Sequence, residues 1–247
     1  MFSKKWVSVA LLAVGAMMLS GCESVESLSE AFVKNESWEP QEADAISVKK
    51  NGSITEQINE VLDASYYSAD ELQNMISSEI SSYNSQAGSE KVKLEKFEET
   101  EGSDQISVEI SYASAEDFAS FNNTEFYYGS MINAQLAGYL FDTGFQKVKN
   151  GEASGQVSSD DGIYDAMDKE VLILMAPMEV QVCGELVYVS SNADVLGSNL
   201  VDANGEMDET EREDLVLPSS DVYKRTHDKT FDEEQSNRRV YIIFEKE

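Results

Sequence analysis

Val92-Lys93-Leu94-Glu95-Lys96-Phe97 and Ile106-Ser107-Val108-Glu109-Ile110-Ser111-Tyr112 both alternate apolar and polar side chains, the period of a strand with one buried face. The acidic stretch Glu98 to Asp104 between them reads as a turn, so the pair predicts a hairpin. Upstream, Ser68 and Glu71 form a capping box, and Tyr67 faces Leu72 as a hydrophobic staple. Leu72, Met75, Ile76, Ile80 and Tyr83 then recur at three- and four-residue intervals until Ala87-Gly88. That is the stripe of an amphipathic helix that must lie on a sheet. Further upstream, Ile46-Ser47-Val48, the turn Asn51-Gly52 and the returning stretch Ile54 to Leu62 predict another hairpin. Downstream, Ser114 with Asp117 opens a short helix, and Ile132, Leu136, Tyr139 and Leu140 give a second helical stripe. Hairpin, helix, hairpin, helix over residues 45 to 141 argues for an α+β fold: an antiparallel sheet built from hairpins with helices packed on one face.

The remainder reads as a β-rich C-terminal half. Gly151 to Gly162 is rich in Gly, Ser and Asp and marks a boundary between an α+β subdomain, 45–150, and a β-rich subdomain, 151–247, packed on it. Val171-Leu172-Ile173-Leu174-Met175 is a continuous apolar run. Val180, Val182, Leu186 and Tyr188 share one face of a longer strand with Gly184 as its bulge. Tyr241-Ile242-Ile243-Phe244 is apolar on both faces, as a central strand requires.

The N-terminus carries an address. Lys4 and Lys5 precede an apolar run from Trp6 to Leu19, too short to span a bilayer and matching a secretory signal. Leu19-Ser20-Gly21-Cys22 resembles the lipobox of bacterial lipoproteins. That resemblance implies cleavage of a signal peptide, 1–21, before Cys22 and diacylglyceryl modification of its thiol. Two acyl chains suffice for stable attachment, so the expected location is the cell membrane, lipid-anchored on the extracytoplasmic face, with the bilayer as a partner through Cys22. Residues 22–44, rich in Ser and Glu, read as a flexible acidic tether with a reach of about 25 Å.

The 247 residues hold 47 acidic and 18 basic side chains, a formal charge of −29. Loss of residues 1–21 leaves 226 residues at −31. Such an excess of carboxylates repels phosphate backbones and argues against nucleic acid as a partner. With 41% apolar residues the chain can nonetheless build a core. Once Cys22 is lipidated, Cys183 is the remaining thiol, so the exported domain folds without an internal disulfide.

Candidate chemistry is sparse. Asp202, Asn204, Glu206, Asp208 and Glu213 set oxygen ligands at alternating loop positions and resemble an EF-hand calcium site. The position that needs Gly is Met207, and the flanks do not read as helices. His227 is the single histidine and has no nucleophile motif beside it. All four arginines, Arg212, Arg225, Arg238 and Arg239, fall near the C-terminus, where ion pairs with carboxylates are expected. Tyr66-Tyr67 and Phe126-Tyr127-Tyr128 could form a sugar-stacking platform, although core packing accounts for aromatics beside helix starts. No catalytic set emerges.

Ser114-Ala115-Glu116-Asp117-Phe118, the stretch Val171 to Ser190 and Tyr241-Ile242-Ile243-Phe244 are similar to surface lipoproteins of anaerobic Gram-positive bacteria. That resemblance implies an envelope location and no particular activity. The expectation is a non-enzymatic binding or interaction module at the cell envelope, taking an envelope protein or a small ligand. An envelope hydrolase and a calcium-dependent surface protein are the readings of other classes.

Overall fold

Strands β1 (Ala45–Val48) and β2 (Ile54–Val61) form one hairpin, and β3 (Val92–Glu99) and β4 (Gln105–Tyr112) another, in a computed structural model that describes residues 43–62, 68–100, 103–157, 163–203 and 239–246. The first turn closes with Lys49 N–H donating to Ser53 C=O at 2.9 Å, so the loop is Lys50-Asn51-Gly52, with Gly52 at φ 85°. A left-handed final residue suits a three-residue hairpin loop, and glycine takes that conformation without a Cβ penalty.

Helix α1 (Ala69–Ala87) starts where Ser68 Oγ accepts from Glu71 N–H and stops at Gly88, φ 70°. Its Leu72, Ile76 and Ile80 are buried, as the stripe predicts; Tyr67, the expected staple, lies outside the described residues. Helix α2 (Ala115–Asn122) is capped by Ser114 and ends on Asn123 in the left-handed region. Strand β5 (Phe126–Ser130) runs directly into α3 (Met131–Leu136). There follow β6 (Phe145–Lys149), β7 (Glu152–Val157), a 3-10 helix (Ile163–Ala166), β8 (Glu170–Leu174), β9 (Glu179–Gln181), β10 (Gly184–Ser190), β11 (Asp194–Val195), β12 (Leu200–Asp202) and β13 (Val240–Lys246).

The strands form two sheets, β11-β12-β9-β1-β2-β4-β3 and β5-β8-β13-β10-β6-β7. All pairings are antiparallel except β1 with β9. The fold is therefore α+β with antiparallel-rich sheets. One core joins Ile54, Val108, Ile110 and Tyr112 of the first sheet to Leu72 and Ile76 of α1, Phe118 of α2, and Leu174, Ile242 and Phe244 of the second sheet. The opposite face of the second sheet, with Val171, Ile173, Tyr241 and Ile243, is covered by Met131 and Ala134 of α3 and by Ile163 and Ala166. β13 lies between β8 and β10 and feeds both cores, the position its two-sided apolarity predicts.

Three expectations need correction. The stretch expected as a boundary holds β7, paired with β6 across the Asn150-Gly151 turn, and both sheets draw strands from either side of it. The expected long strand from Val180 to Tyr188 is two strands in different sheets. The chain crosses at Val182-Cys183, and the irregular register falls between Leu186 and Tyr188 rather than at Gly184. Gly184 has another reason to be glycine: a Cβ there would sit 2.1 Å from Glu245 C=O. Finally, α3 buries Met131 and Ala134, whereas Ile132, Leu136 and Leu140 of the predicted stripe are exposed.

Candidate functional site: a cavity beside strand β5

A cavity of about 720 Å³ lies where the β1–β2 turn, α2 and β5 meet. The turn contributes Asn51 and Gly52, α2 and its caps Ser114, Glu116, Ser120 and Asn123 among others, and β5 Phe126, Tyr127 and Tyr128. Each part is built by a local device. Asn51 Oδ1 accepts from Ser53 N–H at 3.1 Å and from its hydroxyl at 2.8 Å, an Asx turn that shapes the hairpin loop. Ser114 Oγ accepts from Asp117 N–H at 3.1 Å and donates to Asp117 Oδ2 at 2.6 Å, fixing the start of α2. Tyr83 OH donates to the other oxygen, Oδ1, at 3.2 Å and ties α1 to this corner. Burial, and then the Asp117 charge, pushes the Tyr83 phenol up to about 12.

The aromatic residues of β5 divide between the two cores, as strand alternation dictates. Phe126 packs on Phe118 with centroids 4.6 Å apart, and Tyr128 stacks on Phe244 at 6.1 Å. Tyr127 turns the other way onto Tyr139 at 5.2 Å, its hydroxyl lying only 2.7 Å from where a Gly129 Cβ would stand. Gly129 thus makes room for the ring. Burial raises the phenols of Tyr127 and Tyr128, with Glu170 adding to the first and Cys183 to the second, so both stay neutral at physiological pH.

A cavity touching three consecutive strand residues lies along the strand's edge, because neighbouring side chains point to opposite faces. β5 is an edge strand of the second sheet. Glu125 C=O accepts from Met175 N–H, and Lys169 C=O from Met131 N–H, at the two ends of its ladder with β8. By antiparallel alternation Tyr127 and Gly129 therefore turn their backbone groups to β8, and Phe126 and Tyr128 turn theirs away from it. Among the described residues none pairs with those outward N–H and C=O groups of Phe126 and Tyr128.

The other sequence candidates fall elsewhere. Asp202 ends β12 opposite Glu179, whose carboxyl is raised by burial and by the Asp202 charge. Asn204, Glu206, Asp208 and Glu213 lie outside the described residues, as do Cys22, Tyr66, Arg212, Arg225, His227 and Arg238. Among the described residues no group of three His, Cys, Asp or Glu side chains is placed to hold a metal ion. Cys183 is half-buried with its Sγ 4.0 Å from Tyr128 OH, and burial pushes its thiol up, away from thiolate reactivity. Arg239 pairs with Glu125 at 2.9 Å, the internal ion pair expected of it.

Residues 51 and 114 are legible as turn and cap, whereas Phe126-Tyr127-Tyr128 reads as aromatics beside a helix start and not as strand β5, and nothing local announces that the three segments surround one cavity. The signal available was negative: Phe126-Tyr127-Tyr128-Gly129-Ser130 has none of the charges or prolines that protect an edge. Comparison of the chain with protein-family models, curated proteins and solved structures gives no match.

Proposed function

We propose that the protein is a membrane-anchored extracytoplasmic lipoprotein that acts as a non-enzymatic binding module, holding its ligand in the cavity beside β5. The lipobox at Leu19 to Cys22 supports the location. The cavity carries the binding reading: hydroxyls, carboxamides and aromatic rings converge there around Glu116, the one carboxylate among the described lining residues. Such a lining orients a polar ligand and supplies apolar contact, the usual balance of a recognition site. Acid–base work on a substrate needs a base within reach of the reacting hydroxyl. Here Asp117 is taken up by the Ser114 cap and the Tyr83 hydroxyl, which leaves Glu116 without a second carboxylate in the described lining to share such work.

Two measurements on the full chain test this. Cys22→Ala is expected to move the protein from the membrane fraction to the soluble one; retention on the membrane overturns the anchor. A thermal-shift screen of the detergent-solubilised protein against peptides and oligosaccharides is expected to give a ligand that raises Tm, with the rise abolished by Ala119→Trp, which fills the cavity from α2. A screen without any shift, or a shift that survives the substitution, overturns binding at this site.

A further inference from the structure

We propose that the cavity takes an extended peptide of neutral or basic character, added as an extra strand along the outer edge of β5. This rests on the binding-module reading and specifies its ligand. The argument starts from how the edges of the two sheets are protected. An edge strand presents unpaired N–H and C=O groups, and proteins blunt it with charges, prolines, bulges or shortness.

Three of the four edges here carry such a device. β3 bears Lys93, Lys96, Glu98 and Glu99 and a register shift between Leu94 and Lys96. β11 is only two residues long. β7 is glycine-broken at Gly155, where φ is 151°, and its ladder with β6 is irregular between Gln146 and Val148. β5 has none: its sequence is Phe-Tyr-Tyr-Gly-Ser, uncharged, and its register with β8 runs without a shift from Phe126 to Ser130.

The unprotected edge also borders a cavity. At Phe126 and Tyr128 it offers two residues' worth of donors and acceptors in strand spacing, the pattern that captures a peptide by main-chain bonds. The rest of the lining is α2 and the Asn51-Gly52 turn, with small or polar residues at Gly52, Ala115, Ala119 and Ser120 where the peptide's alternate side chains would lodge. Charge selects among peptides. Among the described lining residues Glu116 is the charged one and none is cationic, Lys246 Nζ stands 5.7 Å from the Tyr128 ring centroid, and the whole chain carries −29. An acidic peptide is repelled and a basic one attracted.

The test uses the full lipidated chain in detergent micelles and residue-resolved amide hydrogen exchange. In the free protein the Phe126 and Tyr128 amides should exchange at least about tenfold faster than those of Tyr127 and Gly129, which bond to β8. The probe is the pentapeptide acetyl-Lys-Val-Thr-Val-Lys-amide, compared with its Glu-for-Lys counterpart and with a fully N-methylated copy. The basic peptide should slow exchange at Phe126 and Tyr128, bind about tenfold tighter than the acidic one in low salt, and lose its effect on N-methylation. Ala119→Trp should abolish the response while Tyr127 and Gly129 remain protected, which shows the fold intact.

Slow exchange at Phe126 and Tyr128 in the free protein, protection that grows with protein concentration alone, or binding indifferent to N-methylation each overturns the inference. Protection by chitotriose but by no peptide overturns it while leaving the binding-module reading standing. Silence from every probe in the wider ligand screen removes both.

Discussion

Arg239 and Glu125, 114 residues apart in sequence, form a buried ion pair: Nε to Oε1 is 2.9 Å, with side chains 6% and 11% exposed. The guanidinium lies 5.7 Å from the centroid of the Tyr139 ring, and Asn192 Nδ2 donates to Arg239 C=O at 3.1 Å. The pair thus fastens the entry to β13, the strand both cores share, to the residue that precedes β5. Removing one partner takes the other's buried charge out of the pair, which costs up to about 3–5 kcal/mol, whereas exchanging both for apolar residues can be close to neutral. Arg239→Met alone and Glu125→Leu alone should each lower the urea midpoint strongly, and the double variant should recover much of the loss. A double variant as unstable as the sum of the two would show the pair contributes nothing as a pair.

Tyr112 poses the same question with a neutral partner. Its ring is fully buried against Phe118, its hydroxyl donates to the Glu56 carboxylate, and Asn122 Nδ2 donates to that hydroxyl at 3.1 Å. Tyr112→Phe keeps the packing and removes one donor from a buried carboxylate, so the expected loss is about 1–3 kcal/mol. Chemical denaturation measures it. No loss would mean that other groups satisfy Glu56 without the phenol.

The alternation of Val92 to Tyr112, the Ser68 cap and the apolar closing strand were readable because each is a local pattern with one physical solution. The cross-over at Val182-Cys183 was not, since Val180 and Leu186 face the same core from two sheets and side-chain parity continues across the break. The parallel pairing of Ile46 with Val180 joins segments far apart in sequence, and no local propensity encodes it. In α3 and its C-cap, Met131, Ile132, Ala134, Leu136 and Ala137 are apolar around most of the helix. What covers the sheet then decides the buried side, and Met131 and Ala134 win.

That outcome can be checked directly. Leu136 is 81% exposed and Met131 is fully buried. Leu136→Lys should change stability by less than about 0.5 kcal/mol, and Met131→Ala should cost about 2–5 kcal/mol through the cavity it leaves. Equal costs would place Leu136 in the core and contradict the orientation of the helix.

Two glycines separate conformational demand from close approach. At Gly88, φ is 70° and nothing stands within 4 Å of an added Cβ, so Gly88→Ala pays for left-handed backbone alone, about 1 kcal/mol. At Gly184 the obstacle is the Glu245 backbone carbonyl, 2.1 Å from the added atom, which cannot retreat without pulling β13 off β10. Gly184→Ala should therefore destabilise several-fold more than Gly88→Ala in thermal melts, and similar melting points for the two would show that β13 has slack there.

Alkaline pH should dismantle the fold through its tyrosines. Burial raises Tyr83 and Tyr241 to about 12, with Asp117 adding to the first and Arg239 opposing the second, and Tyr112 is raised well beyond its ordinary range. In the unfolded chain these phenols titrate near 10. The folded state thus favours the neutral phenol: its contribution is fully present below about pH 10 and is lost as pH rises from there through 12. Phenolate absorbance at 295 nm and far-UV circular dichroism, recorded together across that window, should show the buried tyrosines ionising in step with loss of structure. Complete ionisation near pH 10 with an unchanged circular dichroism spectrum would mean the phenols of Tyr83, Tyr112 and Tyr241 are open to water.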